Sequence, residues 1–438
     1  MAVNLINLKE APHTGKEVAT FDGKKYYNAS YTGFPKQELI LPDNDYKCDR
    51  TIAIKKNSKD GVKPMTKEEQ DFERSLNWKV IKKFTMEIFK MDVTKFSFPV
   101  GYNEPRTFVE RATDLFSFLV TKYMDDVLNT TDPVQRFSYL AVGIIAGFHL
   151  YLQKKKPWNP VLGETYVGQW SNGVTMYGEQ TSHHPPVSNI QVIPPDNKWR
   201  IDAQFNFGID QGIFLVNILQ KGLTKLTLND GTIYEWEFPT ISVTGIVKGD
   251  RVVKVKGPFV MRDLTNNLEV FVNVNPSKSN SKNFQNNQQD LLNMNPEQFE
   301  QVMANEEEEK KHHKKEKKEK KDKKEKKEKK PKNKYPVTSI EGGVRKMGEE
   351  KFLSLIHGDY TSEVYINTTK VWSIKNDISE RPLKPIPDDM LLLSDCRYRI
   401  DRAMLVQGDM KKADKAKLVL EECQRHDYKL RDSVPKKK

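Results

Sequence analysis

The stretch LTKLTLNDGTIYEWEF, Leu223 to Phe238, decides the fold class of this chain. Two β-rich runs flank Asn229-Asp230-Gly231, a tight-turn signal, so the segment predicts an antiparallel hairpin. The same texture continues on both sides of it. From Gly163 onward TYVGQW, VTMYGE, VSNIQVI, WRIDAQFNF, IFLVNIL, ISVTGIV, RVVKVKG and LEVFVNV recur about every ten residues, and KGD at 248–250 supplies a further turn. Many short strands joined by tight hairpins imply an antiparallel meander, which either curls into a barrel or leaves exposed edges. A barrel is expected.

Strand texture returns in FLSLIHGDYTSEVYI, residues 352–366, after an interruption at 276–334. Asn and Gln dominate the first half of that interruption, and Lys and Glu blocks follow, with too little apolar surface to offset the entropy of ordering. It is expected to be a disordered or partly helical insertion within one domain, formed by residues 39–275 and 335–431. Residues 1–38 read as an arm without a period, and 432–438 as a basic tail.

Helices are expected before and after the strands. TKEE opens the first, with Thr66 as cap and Glu69 reaching back, and Phe72, Leu76, Val80, Phe84 and Ile88 form its apolar stripe up to Lys90. A second runs from Thr107 to Leu128. The third begins at TDPVQRF, where Asp132 is a good N-cap and Pro133 a good first residue, and is expected to continue until Pro157 stops it. The last covers Lys411 to Leu430. The fold class is therefore α+β, mostly β.

The chain has 438 residues and a formal charge of +12. Residues 310–334 hold 16 lysines against 5 acidic residues, eleven of those twelve charges, so the remainder is nearly neutral. The run reads as a solvated spacer, a tether to an anionic membrane surface, or a nucleic-acid contact. Acidic residues at every third position weigh against the last two, and no nucleic-acid partner is expected. Cys48, Cys396 and Cys423 are few, odd in number and far apart, which argues against a disulfide framework and fits a reducing compartment. The N-terminus has no basic region followed by an apolar core. The longest apolar run, Tyr139 to Leu152, has 14 residues, short of the ~20 that a spanning helix needs. A soluble, cytoplasmic protein is expected.

GxSxG, HExxH, GxxxxGK[ST] and GxGxxG are all absent from the sequence, so the common hydrolase, metalloprotease and nucleotide fingerprints are missing. In YGEQTSHHPPVS, Tyr177 to Ser188, Pro185 and Pro186 remove donors and fix φ behind His183 and His184, which suits a rigid strand end or edge. Ser182 beside His183 resembles a nucleophile and base, but neighbours on an extended chain point to opposite faces. No Cys, His or Asp lies at ligand spacing from the pair, so no metal is expected. KKKPWNPVLGET, Lys154 to Thr165, is either a basic helix C-terminus or a rigid turn from which Lys156 and Asn159 reach an anion. On the last helix Lys417, Glu421 and Arg425 stand four apart, opposite Ala416, Val419, Leu420 and Cys423. That is either a solvated ladder or a site. Taken together, two histidines, Lys156, Lys417 and Arg425 are donors of the kind that coordinate a phosphate, with Glu421 able to hold its flanking cations.

EQTSHHPPVS contains the EQxSHHPP signature of the oxysterol-binding protein family, and the chain resembles that family over roughly Leu39 to Arg431, the insertion apart. FSFPVGYNEPRTF, KKPWNPVLGETY, LLLSDCRYRID and KLVLEECQR support the resemblance in the family's order. It implies an incomplete antiparallel β-barrel around a central lipid tunnel, a helical block before it, a helix after it, and an N-terminal lid for which residues 1–38 are the candidate. One tunnel would hold a sterol and phosphatidylinositol 4-phosphate in turn, with no catalysis and no cofactor. The family's headgroup residues carry over to His183 and His184, to Lys156 and Asn159, and to Lys417, Glu421 and Arg425. The two histidines would bind a phosphate monoester best as cations, held ready by their prolines. Lid contacts and sterol-lining residues are not assigned, and phosphatidylserine is an alternative cargo. A short, transfer-domain-only member touching membranes transiently is expected, with a phosphoinositide-responsive sensor or scaffold as the alternative function. Cys396 and Ile400 stand where many relatives carry Ser and Pro, a packing change.

Overall fold

The computed structural model describes residues 99–152, 155–211, 215–244, 252–274, 338–377 and 391–432, together with 19–21, 24–26 and four helical positions between 67 and 75. The rest of the expected Thr66–Lys90 helix, the 276–334 insertion and the tail beyond Asp432 lie outside the described residues. β1 (Ala19–Phe21) and β2 (Lys24–Tyr26) form a small antiparallel hairpin with Phe21 opposite Lys24. This hairpin lies within the arm that showed no period. Its overlooked signal is Asp22-Gly23, a favoured two-residue hairpin loop.

β3 (Asn103–Thr107) and β4 (Lys156–Trp158) pair in parallel, apart from the main sheet. Fourteen strands build that sheet. They are β5 (Thr165–Gln169), β6 (Thr175–His183), β7 (Pro186–Ile193), β8 (Trp199–Gln211), β9 (Leu215–Lys221), β10 (Thr224–Leu228), β11 (Ile233–Trp236), β12 (Thr240–Thr244), β13 (Val252–Asp263), β14 (Leu268–Val274), β15 (Ser339–Lys346), β16 (Phe352–Asp359), β17 (Glu363–Ile366) and β18 (Thr369–Ser373). Among the described residues, each β-rich run read from the sequence overlaps one of them, and 352–366 supplies two, β16 and β17. The path runs from β5 to β8, on through β10, β11 and β13, and then in order to β18. β9 and β12 pair with each other and bridge the far ends of the long strands β8 and β13. Among the described residues β5 and β18 end the path without pairing to each other, so the sheet is an incomplete barrel.

The opening hairpin is β10–β11, with Thr224 opposite Trp236 and Gly231 at φ 88°, where a side chain would strain the turn. β14 and β15 flank residues 275–337 and are direct neighbours, with Val274 opposite Ile340. Crowding on β15 selects glycine. A Cβ on Gly342 would stand 2.0 Å from the Phe271 carbonyl oxygen, and one on Gly343 2.0 Å from that of Ser354.

Helices fill the inner face of the sheet. The expected second helix is a succession of Phe108–Arg111, Thr113–Phe118, a π-helical turn Leu119–Tyr123 and Met124–Asn129. In the next helix, Pro133–Ile145, the Asp132 carboxylate accepts the Gln135 N–H at 2.7 Å, the cap expected from sequence. It does not continue toward Pro157. It gives way after Ile145 to a 3₁₀ turn, Phe148–Leu152. Gly147 sits at the break, where a Cβ would press within 3.2 Å of the Asp114 carbonyl oxygen. Phe116, Phe137 and Phe148 are wholly buried in one core with Ile201, Trp236 and Val272 from the strands. Burial of each such ring contributes about 1.5–3 kcal/mol. A second core joins Val100, Trp158 and Ile400 to Ala416, Leu420 and Cys423 of the last helix, Met410–Asp432. Among the described residues no helix is long and apolar enough to cross a membrane.

Candidate functional site: a basic corner at the end of the sheet

The second core carries the candidate site. Because the preceding helix stops early, Lys156 is not on a helix C-terminus but opens β4, opposite Asn103 of β3. Pro157 and Pro160 bracket the turn that follows. Asn103 donates its amide to the Pro157 carbonyl at 3.2 Å, while the Lys156 ammonium donates to the same carbonyl at 3.1 Å and to Asn159 Oδ1 at 3.2 Å. Lys156 and Asn159 therefore present one polar edge.

On the last helix, Ala413, Ala416, Leu420 and Cys423 are buried, as their spacing predicts. The stripe Lys417–Glu421–Arg425 winds out of that seam. Side-chain exposure rises from 15% at Lys417 through 25% at Glu421 to 56% at Arg425. Glu421 lies 3.8 Å from the Lys417 ammonium and 4.0 Å from Arg425. Arg425 makes its close contact with Glu422, at 2.7 Å. The helix is anchored beside β3 by Asp414, whose carboxylate accepts the Val100 N–H at 3.0 Å.

The field of the corner is visible at Lys156, whose ammonium is pushed down to about 7, first by burial, then by Lys417 and Arg399, against the pull of Glu421. Burial also pushes Lys417 down, opposed by Glu421, Asp401 and Asp414. Burial and the two neighbouring cations make the Lys156 ammonium costly to keep, a condition that an incoming anion would relieve.

His183 ends β6 and pairs with Pro186 at the start of β7, so the histidines form the tip of a hairpin. The His184–Pro185 bond is cis, and the two imidazoles meet edge to face at 4.8 Å. β6 is tied to the Lys156 turn by two backbone bonds, Gly163 N–H to the Gln180 carbonyl at 2.8 Å and Gln180 N–H to the Glu164 carbonyl at 2.9 Å. The Gln180 amide then donates to the Ser182 carbonyl at 2.7 Å. Lys156, Asn159, Lys417 and Glu421 thus share one neighbourhood with Arg425 at its exposed rim, and the turn after Lys156 is bonded to β6, the strand that ends in His183.

Sequence reasoning passed over Arg399 and Glu164. Buried Arg399 donates to the Asn159 carbonyl at 2.8 Å, to Glu164 Oε2 at 2.9 Å and to both Asp401 oxygens at 3.0 and 2.7 Å. Its guanidinium lies over the Trp158 ring at 5.5 Å. Glu164 in turn accepts the Val161 N–H at 3.0 Å. The available signal was an arginine between Tyr398 and Ile400, two residues before an aspartate: a cation inside an apolar run needs a buried partner.

Fold and site define a class: a mostly-β binding module on an open antiparallel sheet, with a basic corner at one end. The family model described as oxysterol-binding protein matches residues 78–438, and the chain belongs to that family. Oxysterol-binding protein 9 of Dictyostelium discoideum is 30% identical over 206 residues, 47% of this chain and 48% of the relative. The chain's match spans about half the length of that relative. Among solved structures, the ORD of Osh3 from Saccharomyces cerevisiae in complex with PI(4)P has a TM-score of 0.58 at 16% identity, covering 80% of this chain and 84% of that one. The ORD of Osh1 in complex with ergosterol gives 0.57 at 17% identity, covering 79% of each chain. At such identities the likeness shows the fold.

Proposed function

We propose that this protein binds and transfers lipid between membranes, exchanging a sterol for phosphatidylinositol 4-phosphate in one cavity, without covalent chemistry. The observation that carries this reading is the corner formed by Lys156, Asn159, Lys417 and Glu421, a partly buried cation cluster at the end of an open sheet. Such a cluster matches a phosphate monoester, which brings nearly two negative charges and three acceptor oxygens. His183, His184 and Arg425 complete the proposed headgroup set. The sterol and phosphoinositide complexes of the two structural relatives support the pair of ligands. Residues 39–275 and 335–431 would act as one lipid-binding domain in the cytoplasm, meeting membranes transiently.

The test is liposome-to-liposome transfer by purified protein, with labelled phosphatidylinositol 4-phosphate, sterol and phosphatidylserine in parallel, beside the His183→Ala/His184→Ala double variant. Wild-type protein at substoichiometric amounts is expected to move the phosphoinositide and sterol, and the variant to lose at least tenfold in phosphoinositide transfer. Phosphatidylserine moving in place of sterol changes the cargo. Phosphoinositide binding without transfer of any lipid overturns the reading in favour of a sensor.

A further inference from the structure

We propose that Arg399, which lies behind the corner, is its positioning residue: it fixes the turn that presents Asn159 and sets how much charge the corner holds before a ligand arrives. The inference rests on the headgroup reading above. One guanidinium, steadied by Asp401 two residues on in the first turn of the Ile400–Val406 helix, joins its own segment to a turn remote in sequence, at the Asn159 carbonyl and the Glu164 carboxylate just before β5. Four donors in a rigid fork make these contacts, a geometry that lysine cannot copy. Because the Glu164 carbonyl accepts from Gln180 of β6, the same group is linked to the strand that ends in His183. Loss of the fork would loosen the Lys156 turn and the histidine hairpin together.

The electrostatic part follows from the charges that act on Lys156. The last helix contributes Lys417 and Glu421, and the segment before Ile400 contributes Arg399. On β3, which pairs with β4, Glu104 is committed to Arg106 and Arg111, at 3.5 and 3.7 Å. Burial and Lys417 press hardest on the Lys156 proton, and Arg399, held by two carboxylates and keeping its charge, adds to that push. A phosphate monoester entering the corner would restore that proton, since an adjacent anion favours the ammonium. The corner then takes up a proton as it takes up the lipid, and carries less self-repulsion while empty.

The experiment measures binding to phosphatidylcholine vesicles holding a few per cent phosphatidylinositol 4-phosphate from pH 6 to 9, for wild type, Arg399→Lys and Arg399→Met. Fluorescent sterol binding and thermal melting are read on the same samples. Arg399→Lys keeps the charge but not the fork. It is expected to bind phosphoinositide about tenfold more weakly with an unchanged pH midpoint, and to keep sterol binding. Arg399→Met removes the charge and is expected to shift the midpoint to higher pH. Should Arg399→Met fail to fold, calorimetry of the wild type with dioctanoyl phosphatidylinositol 4-phosphate at pH 7.5, in two buffers of different ionisation enthalpy, supplies the second reading. Uptake of about half a proton or more per lipid is expected from the linkage. Wild-type protein that ignores the phosphoinositide defeats the headgroup reading and this inference with it. Wild-type binding with an unaltered Arg399→Lys affinity, or with no proton uptake, defeats the inference alone.

Discussion

A half-buried lysine beside Lys417 and Arg399 opposes folding, because its native ammonium gives up a proton more readily than it does in the unfolded chain. The unfolded state therefore binds more protons between pH 7 and the ordinary lysine value. Stability should rise with pH across that window, and the penalty is fully present below it. Lys156→Met, which keeps the length and drops the charge, is expected to raise the melting temperature by about 3 °C at pH 6.5, with a smaller gain at pH 9, while abolishing phosphoinositide transfer. An unchanged or lower melting temperature would show Lys156 to be held for the fold. At this scale the residues of the proposed headgroup set stood out through their motifs. Arg399 and Glu164 did not, since a buried ion pair between positions 164 and 399 leaves no periodic trace.

Between one element and the next, turns and caps were more legible than ends. Asp132 and Pro133 mark a helix start by local chemistry, and that chemistry operates as read. The end of the same helix is set by tertiary packing of Gly147 against the Asp114 turn, inside an apolar run with no stop signal, so the sequence overextends it. For the same reason Lys156 could not be placed: whether it caps a helix or opens a strand depends on where the helix stops. The strands were legible because turn residues punctuate them. Crowding between strands was not. Gly342→Ala, which would drive a methyl into the Phe271 carbonyl, is expected to destabilise the protein by ~3 kcal/mol. Urea unfolding with an unchanged slope would measure this, and a loss below about 1 kcal/mol would show that β14 and β15 can separate to admit it.

For the molecule as a whole, the direct pairing of β14 with β15 means that residues 275–337 connect two adjacent strands. Any connection able to span neighbouring antiparallel strands would serve the sheet, and loop closure costs only slowly more with length. Replacing residues 277–334 with a short Gly-Ser loop is expected to leave the far-UV spectrum and the melting transition essentially unchanged. Joint collapse of both would refute the reading of 39–275 and 335–431 as one domain. That deletion halves the chain's net positive charge, from +12 to +6, because acidic residues before 310 offset part of the lysine block, so a loss of vesicle binding that tracks ionic strength would be electrostatic in origin.

The open path from β5 to β18 has another consequence. An unclosed sheet offers two rows of backbone groups to any passing strand. At β5 those groups are occupied: Thr165 N–H donates to the Ser394 carbonyl at 2.9 Å, and Arg397 donates to the Val167 carbonyl at 2.8 Å. At β18 the Tyr123 hydroxyl donates to the Val371 carbonyl at 2.9 Å, and Asp377 accepts the Ser373 N–H at 2.7 Å. Both seams are hemmed by the chain's own side chains. Such an edge leaves fewer free backbone groups to template a strand from a second copy, so the sheet can remain unsealed without inviting fibre growth.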